Sequence, residues 1–315
     1  MKISIAFNDF DLTESLVKKV EALWEVDIFN VKKLTEEEVV KTMPETEILI
    51  CGTAGFSYIG KKTFDWLKNL KLISIFGVGY DWIDIEEANK RGIIVSAAIG
   101  GNSEAVAEHT WGMILNLWKR ISEFERDARK NGENNVNNYQ GLEVFGKTIG
   151  IIGLWEIGKR VARIAKAFNM RIIGTNKSGK LVDDVELVDL KYLLENSDVI
   201  TLCLPLSLDT ENLIGEEELK LMKNDVILVN SSREKLVDKK AILKTISEGK
   251  IFGYGIETEI FEPISIDDEY FDYPNILLTP HNAWNTKEMN ENNISIIVKN
   301  VKAFLDNNPI NVIKK

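Results

Sequence analysis

The residues whose types and spacing could do chemistry are a glycine-spaced turn and three polar side chains that follow apolar runs. The turn lies in Gly146-Lys147-Thr148-Ile149-Gly150-Ile151-Ile152-Gly153-Leu154-Trp155-Glu156-Ile157-Gly158. Ile149 to Ile152 reads as a short buried strand, and Lys159 to Phe168 as an amphipathic helix with Val161, Ile164, Ala165 and Phe168 on one face. A strand–turn–helix of this kind offers a pyrophosphate free backbone N–H groups and the positive end of a helix dipole. In such turns the first glycine makes the bend, the second lets the backbone approach the phosphates, and the third lets helix and strand pack. Gly153 and Gly158 keep the outer positions, but Trp155 stands in the middle. Its indole either turns away from the phosphates or fills their place. Taken alone, the two glycines suit an ordinary structural turn equally well.

Three further stretches carry side chains able to act on a ligand. Leu228-Val229-Asn230-Ser231-Ser232-Arg233 puts an arginine just past an apolar run. Gly253-Tyr254-Gly255-Ile256-Glu257, followed by Phe261-Glu262-Pro263, puts carboxylates past another, and Leu277-Leu278-Thr279-Pro280-His281 puts a histidine past a third. Ligands of open α/β sheets bind outside the carboxyl ends of the strands, so all three could reach one crevice with the glycine turn. An imidazole exchanges a proton near neutral pH, and a carboxylate on its other nitrogen orients it and favours its charged form. A guanidinium fork holds a carboxylate and polarises a neighbouring carbonyl. Each also has a plainer reading: a surface salt-bridge arginine, a turn at Glu262-Pro263, a structural histidine.

The elements that must position these groups are legible as alternation. Strand candidates are Ile3–Phe7, Ile48–Cys51, Leu72–Ile75, Ile93–Ser96, Ile149–Ile152, Arg171–Thr175, Val199–Leu204, Val226–Asn230, Ile251–Ile256 and Ile276–Thr279. Amphipathic segments such as Glu14–Leu23, Leu190–Asn196 and Asp238–Glu248 lie between them. This is the pattern of parallel sheets with helices on both faces, in two sets before and after about residue 100. Glu104 to Asn131 reads as one long helix bridging the sets, and the Asn-rich segment Asn131–Asn138 as a loop or arm.

Composition excludes several classes. A chain of 315 residues can bury two full cores, and a net charge of −10 argues against nucleic acid or an anionic membrane as the main partner. No apolar run reaches membrane-spanning length, and the amino terminus lacks a signal-type apolar stretch, so a cytoplasmic location is expected. Cys51 and Cys203 both fall within apolar runs and read as buried free thiols. With two histidines and no Cys/His cluster, no metal site is expected.

Taken in order, these motifs resemble the D-isomer-specific 2-hydroxyacid dehydrogenases over nearly the whole chain. The resemblance also rests on Gly77-Val78-Gly79-Tyr80-Asp81, Asn102-Ser103-Glu104-Ala105-Val106-Ala107-Glu108-His109-Thr110, Asp198 through Leu206, and Leu236-Val237-Asp238. It implies two doubly wound α/β domains, one flavodoxin-like and one Rossmann, with the nucleotide domain inserted into the substrate domain. The expected ranges are 1–98 with 283–315 for the substrate domain and 99–282 for the nucleotide domain.

Carried over by position, the resemblance makes His281 the general acid/base, Glu262 its carboxylate partner and Arg233 the substrate clamp. Backbone amides around Val78 and Gly79 would meet the substrate carboxylate, so Val78, Gly79, Arg233 and His281 form the expected substrate set. The cofactor set is Gly153, Trp155, Glu156, Ile157 and Gly158 in the turn, then Asn176, Lys177 and Ser178, Cys203 and Pro205, Ser231 and Ser232, and Glu257. Hydride would pass between nicotinamide and C2 of a small 2-keto or 2-hydroxy acid. Members of the family are usually dimers joined through their nucleotide domains, which gives the Asn-rich arm a role in a homodimer.

Four positions depart from the family pattern. Trp155 replaces the central glycine and is expected to be the main limit on cofactor binding. Asn176 stands where NAD-preferring members carry an aspartate, and Lys177 follows it, so NADP is favoured over NAD. Glu257 replaces an aspartate near the nicotinamide carboxamide, and Glu234 adds a negative charge beside the Arg233 clamp. Glu262 separates the chain from formate dehydrogenases, Val78 from phosphite dehydrogenases, and the absence of arginine in Cys51-Gly52-Thr53 from phosphoglycerate enzymes. Glyoxylate or hydroxypyruvate is therefore the favoured substrate. The alternative is a cofactor-impaired, non-catalytic relative that binds a nucleotide weakly or another ligand.

Overall fold

Runs such as Ile48–Cys51 and Val199–Leu202 are buried at every position, as strands covered by helices on both faces require. The computed structural model of the protein describes residues 1–7, 14–132, 140–257 and 265–314. These divide into two units, Met1–Asn102 with Asn285–Lys315, and Ser103–Trp284. The second is thus inserted into the first.

The first unit runs β1 (Ile3–Phe7), α1 (Glu14–Glu21), β2 (Val26–Asn30), α2 (Glu36–Thr42), β3 (Ile48–Cys51) and α3 (Lys61–Trp66). It continues with β4 (Leu72–Ile75), α4 (Ile85–Lys90) and β5 (Ile94–Ala97). The strand order is β2-β1-β3-β4-β5, every pair is parallel, and this is the flavodoxin-like winding. Alternate side chains feed opposite faces. Ile5, Ile50 and Leu72 pack with Leu16 and Val20 on one side, whereas Leu49, Cys51 and Ile73 pack with Val39 and Phe64 on the other.

The second unit opens with α5 (Ser103–Lys119) and α6 (Ile121–Asn131), then β6 (Thr148–Ile152), α7 (Glu156–Ala167), β7 (Arg171–Thr175) and β8 (Glu186–Leu187). After α8 (Leu190–Asn196) come β9 (Val199–Leu202), α9 (Glu216–Leu221), β10 (Val226–Asn230), α10 (Lys239–Ser247), β11 (Ile251–Ile256) and β12 (Ile276–Leu278). Its order is β12-β11-β10-β9-β6-β7-β8, again parallel, which is the Rossmann winding extended by one strand. The last helix, α11 (Lys287–Leu305), returns to the first unit, where Ile294, Ile297 and Val301 join its core. No helix among the described residues is long and apolar enough to cross a membrane.

Several elements differ from the sequence reading. The expected long helix is two, because Arg120 adopts a left-handed conformation at φ 55° between α5 and α6. Asn116 stabilises the break: its amide donates to Ser122 Oγ at 2.6 Å, and its carbonyl oxygen accepts from Ser122 N at 3.1 Å. β2 is an edge strand with half-exposed side chains, and β8 has two residues, so neither carried an apolar run to read. α7 starts at Glu156 rather than Lys159, with Trp155 as its N-cap. β9 and β12 stop at Leu202 and Leu278, one or two residues before the expected ends. Both cysteines are buried and free, and burial pushes the Cys203 thiol up to about 12. Most of the Asn-rich arm lies outside the described residues.

Candidate active site

Parallel pairing aligns the last residues of six strands in one row: Thr175, Ile152, Leu202, Asn230, Ile256 and Leu278. The chain therefore leaves that edge of the sheet at Asn176, Gly153, Cys203, Ser231, Glu257 and Thr279. Neighbouring strands lie about 4.8 Å apart, so the row spans roughly 24 Å. Strand order reverses between β6 and β9, which puts Gly153 and Cys203 on either side of the switch point. Five of these six positions belong to the cofactor set expected from the sequence; Thr279 does not.

The β6–β7 end is shaped by close backbone approach. Gly153 takes φ +97°, and a Cβ there would lie 2.4 Å from the Cys203 carbonyl oxygen. A Cβ on Gly158 would lie 2.0 Å from the Gly153 carbonyl oxygen, so the first turn of α7 closes on the turn only with glycine at both places. α7 is held from below by α5: Trp111 stacks on Phe168 at 4.8 Å and donates its Nε1–H to Val161 O at 3.1 Å. The first-turn amides of α7, those of Glu156, Ile157 and Gly158, form its positive end. Trp155, the N-cap of α7, is 51% exposed in extended backbone.

Charge near that helix start is balanced internally. The Glu156 carboxylate accepts from Arg160 at 2.8 Å, and this hydrogen bond holds it below the usual carboxylate range. Arg160 also reaches Glu104 at 2.9 Å, which ties α7 to α5. Beyond β7, Asn176 donates to Lys180 O at 2.9 Å and accepts from Ser178 Oγ at 2.9 Å. Lys177 pairs with Asp209 at 2.9 Å, both well exposed. The Pro205 carbonyl accepts from Thr210 Oγ1 at 2.9 Å.

The β10–β12 end is built from buried polar side chains instead. Asn230 is fully buried; its carbonyl oxygen accepts from Ser232 N at 3.1 Å, and its amide donates to Arg233 O at 2.7 Å. This local turn delivers Arg233, half-buried, with its guanidinium donating to Ser232 O at 2.8 Å. Thr110 of α5 donates to Ser231 Oγ at 2.8 Å, and Ser232 Oγ donates to Leu202 O at 2.9 Å. Glu234 follows Arg233 and starts a short 3-10 turn. It is 7% exposed, and its carboxylate accepts from Tyr270 OH at 3.2 Å.

Glu257 is 1% exposed. Its carboxylate accepts from Thr279 Oγ1 and Ala283 N and lies 3.2 Å from His109 Nε2. His281 is half-buried at φ 52°, its N–H donating to Glu257 O at 2.8 Å and Thr279 O at 3.0 Å. Glu262 lies outside the described residues. His109, Thr110, Asn230 and Thr279 were given no role by sequence reasoning. The scarcity of histidine was the one signal that could have drawn attention to His109, since the chain has only two.

In the other unit, Val78 and Gly79 follow β4 through Gly77, whose φ of +150° suits glycine. The Gly79 carbonyl accepts from Trp82 Nε1 at 3.0 Å, which fixes the bend.

The residues at the β6–β7 end fit a dinucleotide. Glycine at 153 and 158 is a steric requirement, the first-turn amides of α7 lie at the turn, and the Glu156 carboxylate at the helix start is paired with Arg160. Comparison with known proteins agrees. The model of the D-isomer specific 2-hydroxyacid dehydrogenase NAD binding domain matches residues 111–283. A glyoxylate reductase of Thermococcus litoralis is 34% identical over 317 residues, covering 96% of this chain and 95% of the relative. A glyoxylate reductase of Pyrococcus horikoshii is 35% identical, over 93% of this chain and 90% of the relative. The solved structure of an acyclic imino acid reductase in complex with NADPH and D-Arg superposes with a TM-score of 0.92 at 30% identity, covering 100% of both chains. The chain belongs to the D-isomer-specific 2-hydroxyacid dehydrogenase family.

Proposed function

We propose that this member of the family reduces a small 2-keto acid, glyoxylate or hydroxypyruvate, with NADPH as the preferred donor. Family membership carries the coarser statement, an NAD(P)-dependent oxidoreductase of 2-hydroxy acids. The in-register row, which lines up a glycine turn, an arginine loop and a histidine loop along one sheet edge, supports that chemistry, and the finer statement rests on the glyoxylate reductase relatives and on the uncharged Asn176 followed by Lys177.

When bound, the cofactor supplies hydride to the substrate's C2. His281 gives its proton to the C2 carbonyl oxygen during reduction and takes it back during oxidation, so carbonyl, hydride and proton together make the alcohol. Arg233 grips the substrate carboxylate and polarises the carbonyl; its loop is preset by Asn230, so little ordering remains for substrate to impose. Glu262 is the proposed partner of the second His281 ring nitrogen, and the amides of Val78 and Gly79 are proposed donors to the substrate carboxylate. Gly153, Glu156, Ile157 and Gly158 would hold the pyrophosphate through backbone amides, with Cys203, Pro205, Ser231, Ser232 and Glu257 along the path to the nicotinamide.

Asn176 carries no charge to repel a 2′-phosphate, and Lys177 stands next to it. The Lys177–Asp209 pair is exposed and so contributes little, leaving the lysine able to exchange Asp209 for a phosphate. Trp155 keeps a role as modulator. Half of the residue is already in water, so moving the indole costs roughly 0.5–1.5 kcal/mol rather than the value for full burial. A cofactor-impaired relative is the second reading, and Trp155 is what favours it. Titrating NADH and NADPH against the protein by bound-cofactor fluorescence separates the two, since the second reading requires weak binding of both.

A further inference from the structure

We propose that His109 and Thr279, gathered on the buried carboxylate of Glu257, form a clamp that sets the position of His281, with His109 a positioning residue for the reaction. The inference rests on the reading of His281 as the acid/base. It starts from the Glu257 carboxylate, which is 1% exposed and must be satisfied by donors where it lies. Those donors come from three places in the fold: Thr279 Oγ1 at the end of β12, Ala283 N past the histidine, and His109 on α5 at 3.2 Å.

The proton positions follow from the contacts. Thr279 spends its hydroxyl hydrogen on Glu257, so at 3.1 Å its oxygen can only accept from His109 Nε2. His109 therefore carries its proton on Nε2, aimed at both the carboxylate and the hydroxyl. Without that donor, one oxygen of a buried carboxylate depends on Thr279 alone.

The loop these contacts hold is the one that needs holding. His281 is a non-glycine residue at φ 52°, a conformation that persists only when its surroundings impose it. Glu257 reaches positions 279, 281 and 283 in turn, by carboxylate, carbonyl and carboxylate. The Glu257 amide donates to Asn230 O at 3.1 Å, and Asn230 shapes the Arg233 loop. One buried residue thus links the proposed acid to the proposed clamp, and α5 braces it through His109.

The test uses the full-length protein in three forms. His109→Leu removes the donor and keeps apolar bulk; His109→Gln puts an amide N–H near the place of Nε2; Thr279→Val removes the hydroxyl at nearly constant shape. Misplacing a catalytic group by a fraction of an ångström is expected to lower kcat about tenfold in His109→Leu and Thr279→Val, with KM for the keto acid changing less than about threefold. His109→Gln should recover to within about threefold of the parent. Histidine-labelled NMR of the free protein gives a readout independent of turnover. With two histidines in the chain, His109→Leu leaves only the His281 ring signal. That signal should shift or broaden in both donor-deleted variants and return in His109→Gln. The clamp is refuted if the His281 signal is unmoved in His109→Leu, or if the Leu and Gln variants lose kcat equally. Should the parent prove inactive on keto acids, the proposed function fails while the NMR comparison still decides the clamp.

Discussion

The two ends of the sheet edge are built on opposite principles. At β6 and β7 the site depends on atoms that must be missing, because glycine at 153 and 158 is what lets a carbonyl, a helix start and a turn come together. At β10 to β12 it depends on side chains that must be present, the buried Asn230 and Glu257 and the hydrogen-bonding partners gathered around them. A steric site fails abruptly when an atom is added. A hydrogen-bonded site fails in steps as partners are removed, with conservative replacements recovering part of the loss.

The contrast orders the expected effects. His281→Ala removes the proton donor itself, so kcat for keto-acid reduction should fall by about 10²–10⁴-fold, measured at saturating cofactor; a variant within tenfold of the parent would move the acid elsewhere. Gly158→Ala drives a Cβ into backbone 2.0 Å away. The small gain in helix propensity, about 1 kcal/mol, does not offset overpacking of about 1–3 kcal/mol or more against a rigid carbonyl. A drop in melting temperature with at least tenfold weaker NADPH binding is expected, and normal affinity would show that the turn can relax.

Trp155→Gly acts in the other direction and more weakly. Cofactor binding should tighten by about twofold to tenfold, matching the half-exposed indole. No change in a fluorescence titration would mean the side chain already lies clear of the phosphates. The smallest effect concerns cofactor choice: specificity constants should favour NADPH or be equal. A preference for NADH above about tenfold, roughly 1.4 kcal/mol, would remove Asn176 and Lys177 from the account.

Much of this edge was legible from the chain because local chemistry writes itself locally. Ile149 to Ile152 must be a buried strand, Gly153 must turn, and His281 must follow a strand, whatever else surrounds them. Contacts between distant segments left no such trace. His109 and Thr279 meet across 170 positions, and nothing in either neighbourhood says so. The contact of Glu234 with Tyr270, 36 positions away, left no mark beside Arg233 either. The break at Arg120 was hidden for a similar reason. No glycine or proline marks a helix end between Leu117 and Phe124, and the break is held by an Asn116–Ser122 pair that only the folded chain brings together. β2 escaped notice because an edge strand has little need of the apolar run that marks a central one.

The most direct test of the account is the decay of NADPH absorbance when glyoxylate or hydroxypyruvate is added to the purified protein. Substrate-dependent oxidation that disappears in His281→Ala and persists in the parent is the predicted result. An absence of oxidation with either keto acid, at a cofactor concentration where fluorescence reports saturated binding, would contradict it.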